Sequence, residues 1–220
     1  MPPLTELVFL VDVDNTLIDN DAVIADLRRH LLDRFGPECE RRYWDIFEEY
    51  RREVGYADYL GALQRFRIEN PREPRLLAAS LYLLHYPFDR RVYPGALDVI
   101  ARMRTRGRAV VLSDGDVVFQ PRKVEQAGIW SAVSGDVLIY VHKEHMLDDV
   151  ERRYPAVRYV MVDDKVRILA AMKEVWGDRL TTVFVRQGHY AMDSALVSKF
   201  PAADVSVGSI GELMEYADTL

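Results

Sequence analysis

The chain has 220 residues, 49% of them hydrophobic and 29% charged, with a formal net charge of −6. That composition excludes a disordered or fibrous chain, and the acidic balance argues against a nucleic-acid backbone as partner. No apolar stretch approaches the ~20 residues needed to cross a bilayer and the opening Met1 to Glu6 carries no basic run, so a soluble cytoplasmic protein with no membrane partner is expected.

The first element is the run Leu7 to Val11, whose unbroken apolar character suits a strand covered on both faces. It runs directly into Asp12-Val13-Asp14-Asn15-Thr16. Residues two apart on an extended chain point the same way, so Asp12 and Asp14 face one small volume and the Thr16 hydroxyl can support the turn. Two like charges held so close repel unless a cation, a shared proton or a reacting centre stands between them.

From about Asn20 to Arg90 the pattern becomes helical, with no convincing strand. Helices are expected over 22–35, 38–54, 59–68 and 74–86, punctuated by Gly36-Pro37, Gly55 and Asn70-Pro71. Tyr43, Phe47 and Tyr50 fall at helical spacing and read as the core of this region, while Trp44 and Tyr56 lie off that stripe and are candidates to line a pocket. The doublets Arg28-Arg29, Arg41-Arg42 and Arg51-Arg52 read as solvated faces paired with acids such as Glu38, Glu48 and Glu49; the alternative is a grip on a second anionic group.

From Tyr93 onward helices and strands alternate. A helix is expected at 95–106, a strand at 109–112, a helix at 117–127, a strand at 136–141 and a helix from Lys143. Then come a strand at 157–162, a helix at 165–176, a strand at 181–185 and a short strand within 203–207 before a terminal helix. This alternation predicts an α/β fold: a doubly wound parallel sheet with right-handed crossovers and a helical insertion after its first strand. Two further strands end in polar groups, Ser113-Asp114-Gly115 and Asp163-Asp164-Lys165. Each alone is an ordinary turn or helix cap. In an open parallel sheet, however, the ligand crevice lies outside the carboxyl ends of the strands, so these ends can converge on Asp12. Arg186 to His189 also follows a strand end, at the rim of that crevice, and receives no role.

Taken together these motifs resemble the haloacid dehalogenase superfamily of aspartate-nucleophile hydrolases, most of which are phosphatases. Asp12 to Thr16 matches its Asp-x-Asp-x-Thr motif, Val110 to Ser113 its strand ending in Ser or Thr, Lys143 its helix-start lysine, and Asp163-Asp164 its acidic pair. The family's common Lys-Pro is Lys143-Glu144 here. With only 5 lysines against 24 arginines, a lysine at the expected place is informative. Tyr93-Pro94-Gly95 looks like the family's return from cap to core.

The resemblance implies a core domain of residues 1–19 and 91–220, with residues 20–90 as a helical cap domain that closes over the site. It further implies a Mg²⁺-dependent phosphatase acting on a small phosphorylated metabolite through an aspartyl-phosphate. Asp12 would be the nucleophile and Asp14 the general acid and base. Ser113, Asp114, Gly115 and Lys143 would bind phosphate, helped by backbone amides around Val13. The metal would be held by Asp12, the Asp14 backbone carbonyl, Asp163 and Asp164, with Asp164 direct and Asp163 through a water.

A sugar phosphomutase keeps the same motifs and stands as the alternative, and a non-catalytic scaffold of this fold stands behind it. An intact Asp14 favours a phosphate ester over a halide, which needs no proton on leaving. The absence of lysine from residues 20–90 disfavours an imine-forming phosphonate enzyme. Cys39 is the single cysteine, which rules out an internal disulfide and a thiolate zinc site, and His142 with His145 has no third ligand nearby.

Overall fold

In the computed structural model, which describes residues 4–216, the strand expected at 7–11 is β1 (Thr5–Val11), in the interior of a six-stranded parallel sheet. It pairs with β2 (Arg108–Asp114) on one side, and β3 (Val137–Tyr140) lies outside β2. On its other side come β4 (Ala156–Asp163), β5 (Leu180–Val185) and β6 (Val205–Val207), giving the order β3-β2-β1-β4-β5-β6. The register sets Val11 between Val111 and Val162, so the carboxyl ends of β1 and β4 lie within a residue of each other and β2 runs on past them to Asp114.

The apolar runs serve two cores at once. Leu7, Phe9 and Val11 of β1 join one apolar cluster, and Val8 and Leu10 join the other. The same alternation holds in β2 and β4, where Ala109, Val111, Val160 and Val162 face the first cluster and Val110, Leu112, Tyr159 and Met161 the second. Period-two alternation with apolar residues on both faces is what a sheet covered by helices on each side requires.

Four helices fill the insertion: α1 (Asn20–Phe35), α2 (Pro37–Val54), α3 (Tyr59–Glu69) and α4 (Leu76–Leu84). Asp19 caps α1 by accepting from Ala22 N at 2.9 Å, and Asp58 caps α3 by accepting from Gly61 N at 2.6 Å. The fourth helix is shorter than the 74–86 expected because the chain turns at Pro74 and meets Pro87. The chain leaves and re-enters the sheet layer side by side: Asp19 N donates to Arg91 O at 2.8 Å and Tyr93 N to Leu17 O at 2.9 Å. Tyr59 of the insertion packs against Phe119, with ring centres 5.3 Å apart, which makes the insertion and the first sheet face one continuous apolar cluster.

After the insertion come α5 (Ala96–Arg104), α6 (Phe119–Gln126) and the short α7 (Ile129–Ala132), all packed on the first face. The second face is covered by α8 (Leu147–Arg153) and α9 (Val166–Trp176), with the short α10 (Gly188–Met192) and α11 (Ser194–Val197) beyond β5. Helix α6 starts two residues later than expected because the Asp116 carboxylate accepts from Val118 N and Phe119 N at 2.8 and 2.6 Å. Lys143 opens a single 3-10 turn, Lys143–His145, and the regular helix begins only at Leu147. The last helix, α12 (Leu213–Tyr216), lies where the terminal helix is expected, at the edge of the described residues. Met1, Pro2 and Pro3 of the opening stretch lie outside them. Among the described residues no helix is long and apolar enough to cross a membrane.

Candidate active site

Because β2, β1 and β4 are neighbours, their carboxyl ends carry Ser113, Asp12 and Asp163 to one edge of the sheet. The loop after β1 is built as a tight turn. Thr16 N, Leu17 N and Ile18 N all donate to Val13 O, and Asn15 adopts φ 60°. Asn tolerates this left-handed conformation, and here its side chain repays it: Asn15 Oδ1 accepts from Asn20 N and Asp21 N at 3.0 and 3.2 Å. Gly188 packs directly on Asn15, where any added Cβ would lie 2.4 Å from Asn15 Cγ.

Asp12 is almost wholly buried. Its Oδ1 accepts from Lys143 Nζ at 2.5 Å and its Oδ2 from Thr16 Oγ1 at 3.3 Å. The same ammonium lies 2.6 Å from Asp163 Oδ2 and donates to Leu112 O at 3.2 Å. Burial opposes the charge on Lys143, yet the Asp12, Asp163 and Asp114 carboxylates outweigh it and hold its pKa above the ordinary lysine value. Asp114 accepts from Lys143 N at 2.7 Å and so fixes the backbone of the lysine turn. Burial pushes the Asp114 carboxyl up to about 6, against the pull of Lys143.

The acidic pair divides in two. Asp163 is held by protein on both sides, its Oδ1 accepting from Lys165 N at 2.8 Å and its Oδ2 lying 2.6 Å from the Lys143 ammonium. Both Asp164 carboxylate oxygens are buried with no hydrogen-bond donor among the described residues. Burial drives the pKa of Asp164 well above the ordinary carboxylate range, with Lys165 opposing. Asp12, Asp163 and Asp164 each offer an oxygen, all within 4.8 Å of one another, and no other such trio exists among the described residues. Three dry carboxylates with one shared ammonium, and two oxygens lacking donors, fit a hard divalent cation that takes oxygen ligands. The Asp14 carbonyl receives no backbone N–H among the described residues, so it is open as a further ligand.

The side chain of Asp14 lies elsewhere. It is absent from the acid trio, and its Oδ1 accepts from Lys123 Nζ of α6 at 2.7 Å. Gln120, one turn earlier, donates to Ser113 Oγ at 3.0 Å and to Asp14 Oδ2 at 3.4 Å. Gly115 departs from the expected amide cradle: its N–H donates to Tyr140 O at 2.9 Å. The absent side chain is what matters there, because a Cβ on Gly115 would lie 2.7 Å from the Gln120 stem. Among the described residues the Val13 N–H has no backbone acceptor.

Two adjoining cavities of about 480 and 360 Å³ open on Asp14 and share Arg51, Ala57, Lys165 and Tyr190. The insertion forms much of their walls, with Tyr56 in the first and Trp44 and Phe47 in the second. Trp44 and Tyr56 thus stand where the sequence places pocket candidates. Tyr43 is buried, its hydroxyl donating to Tyr59 O at 3.0 Å, whereas Tyr50 is half-buried beneath Arg65. Arg42 pairs with Glu69 and Glu49 on the surface as expected of a solvated doublet. Arg51 pairs with Glu48 at 3.7 Å as expected, and in addition it donates to the Tyr190 hydroxyl across the cleft. His142 and His145 sit with ring centres 5.6 Å apart and belong to no ligand trio.

Lys123, Gln120 and Gln187 are the residues sequence reasoning misses. Gln187 is buried and its Nε2 donates to Asn15 O and Thr16 O at 3.3 and 3.2 Å, while its Oε1 accepts from Ile210 N at 2.6 Å. Their only sequence signal is position: two on the helix after the second motif, one just past a strand end.

Comparison with known proteins agrees with this geometry. Residues 7–175 match the family model of haloacid dehalogenase-like hydrolases. A crystal structure of a haloacid dehalogenase-like hydrolase from Burkholderia xenovorans LB400 is 61% identical, with a TM-score of 0.92 over 97% of this chain and 99% of that one. The HAD-hydrolase YfnB from Bacillus subtilis, solved with magnesium bound, shares the fold at 15% identity and TM-score 0.65, over 98% of this chain and all of that one. The L-2-haloacid dehalogenase from Xanthobacter autotrophicus does so at 18% identity and TM-score 0.63, over 97% and 98%. Among curated proteins none matches the chain. On its matched motifs, its sheet and its close structural relative, the chain belongs to the haloacid dehalogenase-like hydrolases.

Proposed function

We propose that this hydrolase is a Mg²⁺-dependent phosphatase that cleaves a small phosphorylated metabolite through an aspartyl-phosphate on Asp12. The observation that carries the reading is the pair of buried, donorless oxygens on Asp164 beside Asp12. Displacement of halide from a neutral carbon by a carboxylate needs no such cation site. Transfer of a dianionic phosphoryl group to a carboxylate does, and bound Mg²⁺ would supply the charge neutralisation. Asp12, Asp164 and the Asp14 carbonyl would hold it, with Asp163 behind them.

An Asp12 oxygen forms the bond to phosphorus while the ester oxygen leaves with a proton from Asp14. Water then attacks the aspartyl-phosphate, Asp14 takes its proton, and Asp12 is restored. Lys143 pairs with Asp12 and holds it close to the phosphoryl oxygens, and Ser113 donates a hydrogen bond to one of them. Residues 20–90 act as the cap, whose Arg51, Tyr56 and Trp44 line the cavities facing Asp14 and exclude bulk water.

The test is phosphate release from a panel of phosphorylated metabolites with Mg²⁺, beside halide release from 2-chloropropionate. Phosphate release by wild type and not by Asp12→Asn is the expected result. Halide release with no phosphate from any ester would replace the reading by a dehalogenase.

A further inference from the structure

The chemistry above leaves Lys123 without a task. Its side chain has no solvent exposure and runs from α6 past the rings of Phe119 and Phe88, with Nζ 5.5 and 5.9 Å from their centres. The ammonium donates to Asp14 Oδ1 at 2.7 Å and to Asn20 Oδ1 at 3.0 Å. As a stabilising device this is a poor choice, because a buried ion pair exchanged for well-packed apolar side chains is often neutral or better. Between two phenylalanines a methionine would pack well. What the lysine supplies is direction, since two of its three N–H groups are committed to fixed oxygens.

Asp14 is held at one end only. Lys123 grips Oδ1, whereas among the described residues Oδ2 has only the long 3.4 Å contact from Gln120, and the side chain keeps 24% exposure toward the cavities it lines. The other anchor, Asn20, opens α1 of the insertion. Its Nδ2 donates to the Tyr59 hydroxyl of α3 at 3.4 Å, and its N–H to Asn15 Oδ1 at 3.0 Å. One ammonium therefore touches both the proton-handling carboxylate and the first residue of the insertion.

We propose that Lys123 is a positioning residue: it pins Asp14 Oδ1 so that Oδ2 meets the leaving group, and through Asn20 it ties that orientation to the seating of the helical insertion. The kinetic part of its test rests on the phosphatase reading; the structural part does not.

The readout is the ratio of kcat/KM for an alkyl phosphate, glycerol 3-phosphate, to that for p-nitrophenyl phosphate, whose leaving group needs no proton. Lys123→Met is expected to lower this ratio about 10-fold or more, acting through kcat, as loss of oriented acid catalysis should. Combined with Asp14→Asn it should cost nothing beyond Asp14→Asn alone. Equal loss on both esters, or additive loss in the double variant, would overturn the proposal. Asn20→Ala should lower the ratio in the same direction by less, and it decides the matter by the same criterion if Lys123→Met does not fold. In a crystal structure of Lys123→Met the Asp14 carboxylate should turn from its wild-type direction. An unchanged carboxylate would refute the positioning role even if the wild type released no phosphate, an outcome that would separately remove the phosphatase reading.

Discussion

The outer face of the insertion and the carboxyl edge of the sheet are both dense in charge, but one is wet and the other dry. On the insertion the pairs are arginine with glutamate at the surface: Arg42 with Glu69 at 2.5 Å, Arg65 with Glu53 at 2.7 Å, Arg75 with Glu73 at 2.5 Å. At the sheet edge they are lysine with aspartate, and neither Lys143 nor Lys123 has any exposed side chain. Exposed pairs contribute little to stability because water and salt screen them. Buried ones pay desolvation that their own attraction barely returns. The dry cluster is thus kept for what it holds in place, and a compact ammonium suits it because one nitrogen can bridge two carboxylates.

The sharpest break of this contrast is Asp12→Asn, nearly isosteric, which should abolish phosphate release while leaving the thermal unfolding midpoint close to wild type. Next comes metal. Chelation should remove activity and Mg²⁺ restore it, and Asp164→Asn should lose the rise in unfolding temperature that Mg²⁺ gives the wild type. Activity indifferent to chelator would sink the metal-assisted reading. Asp14→Asn should slow alkyl phosphates by about 10²- to 10⁴-fold and activated aryl phosphates far less; equal losses would tell against its acid role.

Lys143→Met should destabilise the metal-free protein by about 3–5 kcal/mol, because it strands two buried carboxylates, and denaturant titration with and without Mg²⁺ should show partial recovery with the ion. At the far end of the scale, Arg42→Ala on the wet face should leave both turnover and unfolding temperature unchanged. A loss there comparable to that of Lys143→Met would erase the distinction.

Much of this was legible in the chain because the signals are local. The alternation of apolar runs foretold all six strands, and the two helical punctuation marks at Gly36-Pro37 and Gly55 foretold where α1 and α2 stop. Asp12, Ser113, Lys143 and Asp163-Asp164 were readable because each lies at or just beyond the end of an apolar run. The rest depends on contacts that no spacing encodes. Lys123 and Gln120 look like ordinary residues of an amphipathic helix until α6 packs beside the β1 loop. Gly115 reads as a turn glycine, yet its N–H belongs to Tyr140 and its missing side chain makes room for Gln120. Arg51 resembles its neighbours in the arginine doublets and differs only because Tyr190, far along the chain, lies across the cleft.

The clamp made by Gln187 sets a limit on how the molecule can be cut. The family-matched segment ends at residue 175 and contains every motif, yet the donor to Asn15 O and Thr16 O lies beyond it, as do β5 and β6. A fragment trimmed to the motifs would keep every motif residue and lose the support that shapes the turn after Asp12. Motif content and the smallest working unit are therefore different lengths of chain, and transplanting this chemistry into another scaffold would have to carry the tail along with it.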